Sequence, residues 1–118
     1  MQYMVQMKLA NSSRPLTPQQ GIGFIEQFIL PTLEKCNQLQ QEKTILAGGP
    51  VGGAVALALI INADSIEQLD GIVESLPVWP LMETTVTPLT TFSDRSAAIS
   101  VRLNSLRTVP ASGQNPIP

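Results

Sequence analysis

A chain of 118 residues with 43% hydrophobic and 14% charged residues has the size of one small domain, and carries fewer charges than the roughly 25% of an ordinary soluble domain. Its net charge of -2 excludes the positive field that phosphate backbones require, so nucleic acid is excluded as a partner. Cys36 is the single cysteine and there is no histidine, which excludes an internal disulfide and a zinc centre of the Cys/His kind, so no metal and no cofactor are expected.

Tyr3, Val5, Met7 and Leu9 share one parity and Gln2, Gln6 and Lys8 the other, the period-2 pattern of a half-buried first strand. This alternation is unlike a signal peptide, and the apolar run Ala54 to Ile61 is far shorter than the roughly 20 residues of a membrane helix, so a cytoplasmic protein is expected, with no membrane partner. After Asn11 to Pro15, Thr17 and Pro18 supply an N-cap and a proline at the first helical position. The helix they start carries a stripe of Ile22, Ile25, Ile29, Leu33, Cys36 and Leu39, at steps of three and four. Cys36 on this stripe reads as a buried core residue. Pro31 interrupts the stripe, removes the bond to the Gln27 carbonyl and predicts a kink or a split.

Thr44 to Ala47 and Ala54 to Ile61 read as two strands joined by the glycine-rich turn Gly48 to Gly53. That turn lacks the Lys-Ser/Thr of a phosphate loop and leads into a strand, so it reads as a hairpin. In the second of these strands Val55, Leu57, Leu59 and Ile61 fall on one face and Ala54, Ala56 and Ala58 on the other. Small residues allow a helix to approach closely, which predicts helices on the alanine face and the bulky residues on the open one. Ser65 and Gln68 form a capping box for a second helix with Ile66, Leu69, Val73 and Leu76 inward, ended by Leu76-Pro77. Leu81 to Thr87 is a β-prone run that Pro88 limits to an edge strand or to the last part of one. Ser93 and Asp94 can cap a further helix aligning Ile99, Leu103 and Leu106, although Ala97 to Val101 could also extend as strand. From Thr108 the proline-rich tail is expected to be disordered.

The order β, α, β, β, α, β with a C-terminal helical extension predicts one α+β ferredoxin-like domain over residues 1-107. An apolar open face needs a cover, so a homo-oligomer, dimer or higher ring, is expected.

At Leu76-Pro77-Val78-Trp79-Pro80-Leu81-Met82-Glu83 the chain resembles the muconolactone isomerase family, in which a helix ends in a Leu-Pro-aromatic-Pro tract that feeds the last strand. The resemblance implies a dimeric α/β-barrel whose sheets enclose a small-molecule pocket, and a proton shift within a small lactone or related acid. The chain departs from the family in having no histidine, a longer glycine-rich turn, and Thr84-Thr85 after Glu83.

Such a reaction needs a base beside a carbon acid and a donor or cation beside the developing enolate. Glu83 on the last strand is the candidate base, provided that it faces the barrel interior; facing outward it is a solvated edge charge. Lys8, Arg14 and Arg95 are candidate anchors for a ligand carboxylate, each equally readable as a surface charge. Trp79 between two prolines is a candidate pocket wall or a subunit anchor. The alternative function is a non-catalytic oligomeric domain that binds a small apolar metabolite or serves assembly alone.

Overall fold

A computed structural model describes residues 1-10 and 17-109; Arg14 and the tail from residue 110 lie outside the described residues. The elements run β1 (Gln2–Leu9), α1 (Pro18–Phe24), a π-helical turn (Ile25–Ile29), α2 (Leu30–Gln41), β2 (Ile45–Pro50), β3 (Ala56–Asn62), α3 (Ile66–Glu74), a 3-10 turn (Trp79–Leu81), β4 (Met82–Leu89) and α4 (Phe92–Arg107). This is the expected α+β order with a C-terminal helix. The strands form an antiparallel sheet ordered β2-β3-β1-β4. Pro88, which cannot donate to a ladder, sits on an edge strand as its chemistry demands.

Local signals act where they were read. The Thr17 hydroxyl accepts the Gln20 N–H at 3.2 Å while the Gln20 side chain accepts the Thr17 N–H at 3.1 Å, so two orphan donors at the start of α1 are satisfied reciprocally. At the start of α3 the Ser65 hydroxyl accepts the Gln68 N–H at 3.1 Å. Pro31 is met by a change of helical register. The Leu30 N–H donates to the Ile25 carbonyl, five residues back, and this wider turn moves aside the carbonyls that the proline ring would strike. The extension is helical throughout, and its cap is Thr91, whose hydroxyl accepts the Asp94 N–H at 3.0 Å, two residues ahead of the expected start.

The main difference from expectation is which face of the sheet the helices cover. Tyr3, Val5 and Met7 of β1 stand opposite Ile61, Leu59 and Leu57 of β3, and all six are buried under the helix layer with Leu39, Leu69 and Val73. The bulky parity of β3 therefore faces the helices. Ala56, Ala58 and Ile60 face the open side, beside Met4, Gln6 and Lys8 of β1 and Glu83, Thr85 and Thr87 of β4. The reason is area: joining two bulky rows under the helices buries more apolar surface than joining a bulky row to an alanine row. The open face is thus of mixed polarity.

The glycine-rich turn is shorter than the sequence suggested, because Gly48, Gly49 and Pro50 belong to β2. A register shift lies between Ile45 and Ala47. Gly48 follows it with φ +115, and a Cβ there would run into the Ala58 carbonyl and stand 2.8 Å from the Leu59 Cα. Only glycine fits so close to a neighbouring strand in that conformation. Gly48→Ala is expected to lower stability by more than about 2 kcal/mol in urea unfolding. Gly49→Ala, where a Cβ would meet nothing within 4 Å, serves as the nearly silent comparison.

Candidate functional site

The tract Leu76 to Met82 turns α3 into β4 while anchoring itself to the core. Leu76 and Val78 are 1% and 2% exposed. Between them Pro77 follows the end of α3, whose C-cap is Ser75, and the Leu81 N–H then closes a tight turn onto the Val78 carbonyl at 2.9 Å. Val78 is also tied to the helix layer: its N–H donates to the Thr32 hydroxyl at 3.1 Å across 46 positions of sequence. Thr32 is 2% exposed, the one polar residue buried as a whole among the described residues; the Thr84 hydroxyl is buried too, without a hydrogen-bond partner among them. Without that acceptor the Val78 N–H would be buried unpaired.

These anchors leave a cavity of about 950 Å³ between the helix layer and one end of the sheet, at the upper end of the range of small-molecule sites. Phe24, Ile25, Ile29, Thr32 and Leu33 wall it from α1, the π turn and α2. Val78, Pro80, Leu81 and Met82 wall it from the tract, and Leu9 and Ala10 from the end of β1. Pro50 and Ala54 to Leu57 complete it from the β2–β3 connection. Backbone bonds tie the rim together, with the Leu9 N–H on the Val55 carbonyl at 3.0 Å and the Ala10 N–H on the Leu81 carbonyl at 3.1 Å. Ile25, Leu33 and Val55 form the mouth and are 48%, 37% and 41% exposed.

The lining carries no ionisable side chain among the described residues. Its side-chain polarity is the Thr32 hydroxyl, which accepts from Val78 and keeps a proton to donate. Such a cavity dehydrates and orients an apolar ring and can offer it one hydrogen bond.

The sequence candidates are placed elsewhere. Glu83 and Lys8 stand opposite each other on the open face of the sheet, 3.6 Å apart, with side chains 61% and 74% exposed; a pair so solvated contributes little to stability. Their neighbours Met82 and Leu9 point the other way, into the cavity. Trp79 is 37% exposed and flanked by the lining residues Val78 and Pro80, without lining the cavity itself. Arg95 is exposed on α4. The structure thus brings Glu83 and Lys8 together and leaves Trp79 and Arg95 apart from them. Cys36 is half-buried against the core, and burial pushes its thiol above the ordinary range. The described residues contain no cluster of His, Cys, Asp or Glu suited to a metal and no helix long and apolar enough to cross a membrane.

Sequence reasoning passed over Thr32 and the helix-side cavity. The available signal was a polar residue within the apolar stripe one position after Pro31, where a mid-helix threonine reads as bland without its remote partner.

Comparison with known proteins places these features in context. Residues 1–95 match the family described as muconolactone delta-isomerase. The fold is similar to a crystal structure of muconolactone isomerase at 3.3 Å resolution, with a TM-score of 0.60 and 21% identity over 100% of both chains. It is also similar to the 5-chloro-2-hydroxyhydroquinone dehydrochlorinase of Burkholderia phenoliruptrix AC1100 in complex with 2,5-dihydroxybenzoquinone, with a TM-score of 0.59 and 20% identity, covering 80% of this chain and 98% of that one. No curated protein matches the chain significantly.

Thr32→Val keeps the shape of the cavity wall and removes the acceptor of the Val78 N–H. It is expected to cost about 1–3 kcal/mol in urea unfolding, and Thr32→Ser, which keeps the oxygen, is expected to cost less.

Proposed function

Because this chain belongs to the muconolactone delta-isomerase family, we propose that it binds a small, largely apolar cyclic molecule in the helix-side cavity and acts as an isomerase shifting a proton in a small lactone or related acid. The observation that carries this reading is the cavity itself: about 950 Å³ of apolar wall built on the tract through which the chain resembles the family. The names of the two structural relatives point to small oxygenated cyclic molecules as the ligand class. Isomerisation of a lactone and loss of hydrogen chloride both need a proton removed and a developing anion stabilised.

Within this reading the Thr32 hydroxyl donates to a ligand carbonyl, and the apolar walls strengthen that bond by excluding water. Glu83 remains the proposed base and Lys8 its neighbouring cation. Both face the side of the sheet that a second sheet would enclose in a dimeric barrel, opposite the helix-side cavity, so a base at Glu83 serves a ligand held on that open face and binding in the cavity does not depend on it. Arg14 stays a proposed carboxylate anchor and Trp79 a proposed rim or subunit contact. A non-catalytic binding domain is the second reading, favoured by the lack of ionisable groups among the described lining residues.

Titration with muconolactone or 2,5-dihydroxybenzoquinone, followed by the fluorescence of Trp79, tests the cavity. Saturable binding that Leu57→Trp abolishes by filling the space supports the reading, and binding unchanged by Leu57→Trp refutes it. Glu83→Gln is expected to leave this affinity unaltered. If Glu83 is the base, the same change lowers turnover of muconolactone about a hundredfold, and unaltered turnover would remove Glu83 from that role.

A further inference from the structure

The sheet supplies the cavity with a floor, and the strand register lays that floor out in rows. On the helix side of the sheet Leu9 of β1 stands opposite Met82 of β4, and the next row joins Leu57 of β3, Met7 of β1 and Thr84 of β4. Leu9, Met82 and Leu57 line the cavity. Thr84 therefore ends the second row at the sheet edge, on the same strand face as Met82 and about 7 Å along the strand from it. Its hydroxyl oxygen is buried and has no hydrogen-bond partner among the described residues. Met7 stands opposite it and Met82 and Val86 flank it on that face, and none of the three has a side chain that hydrogen-bonds more than weakly.

A buried hydroxyl without a partner costs stability, and few buried polar atoms in folded proteins go without one. Packing does not call for it here. Valine has the same shape as threonine and suits a strand as well, and the chain places it at the next position of this very face, as Val86. Within the folded chain the Thr84 hydroxyl has no use, although it can donate one hydrogen bond and accept others. Met82, one row nearer the cavity's end of the sheet, is half-buried. Its side chain is unbranched and changes rotamer readily, and turning it aside extends the cavity over the second row.

We propose that Thr84 is a specificity-determining residue, a second polar contact that hydrogen-bonds a ring oxygen of the cavity's ligand once the Met82 side chain has turned aside. The inference rests on the cavity being the binding site. Thr32 belongs to the helix layer and Thr84 to the sheet, so the two hydroxyls meet a ligand from opposite layers. The class that satisfies both is a flat ring with oxygens on two sides, a hydroxylated quinone or a lactone bearing a second oxygen function. A ring with one oxygen leaves one hydroxyl unpaired, and that loss is the source of the discrimination.

Thr84→Val in the full-length protein removes the hydroxyl and keeps the shape. No bond within the chain is lost, so the ligand-free variant is expected to melt a few degrees higher than the unaltered protein. Calorimetric titration then compares two rings of similar size: 2,5-dihydroxybenzoquinone, and p-xylene, which has no hydrogen-bonding group. Thr84→Val is expected to weaken binding of the quinone by about tenfold or more and to leave binding of p-xylene unchanged. Thr84→Ser, which retains the hydroxyl, is expected to keep most of the quinone affinity. A merely structural threonine would not move the ratio of the two affinities. Quinone affinity unchanged in Thr84→Val, with p-xylene still bound and Leu57→Trp still abolishing its binding, overturns the role of Thr84 and leaves the cavity reading standing. An equal loss of both ligands overturns that role, and so does a lower melting temperature for Thr84→Val, which would show the hydroxyl bonded in the ligand-free protein. Failure of the unaltered protein to bind either ring overturns the role of Thr84 and the cavity reading together.

Discussion

Two rows of side chains set the frame of this molecule. Tyr3, Val5 and Met7 on β1 face the same way as Ile61, Leu59 and Leu57 on β3, and each is at most 6% exposed. Their pairing decides which side of the sheet carries the helices, and strand alternation then assigns every other side chain of the central strands to the opposite side. A register slip of one residue would exchange the two faces. The position of the cavity, the exposure of Glu83 and Lys8, and the mixed character of the open face all descend from that choice.

Upon this frame the cavity is made by keeping two layers apart at one end. The helix side needs a stripe that reaches past Pro31, and the π turn delivers it by absorbing the proline's missing N–H and setting Ile25 and Ile29 on the same wall. The sheet side needs a rigid return from α3 to β4, and the Leu-Pro-Val-Trp-Pro tract delivers it with two buried anchors and a hydrogen bond to Thr32. The tract by which the chain resembles its family is therefore structural first: it holds a wall in place. The wall itself carries no ionisable side chain among the described residues.

Charge is kept away from that wall. The lining among the described residues is uncharged, the strand carboxylate and amine pair on the open face, and the C-terminal helix gathers arginines beside an apolar stripe.

The sequence by itself determined the α+β order, the caps at Thr17 and Ser65, the proline-driven change in the long helix and the identity of the tract, because each depends on interactions a few residues apart. Pro88 restricted β4 to an edge or to the end of a strand, and the sheet order places it at the edge. Only the tertiary structure decided which face of β3 meets the helices: both of its parities are apolar, and periodicity cannot choose between them when the deciding contact is with β1, more than fifty positions away. Glu83 was legible as a strand carboxylate and its direction was not, for the same lack of a local signal. Thr32 could be recognised only beside Val78, because a hydroxyl's worth in a helix is set by the partner that folding brings to it.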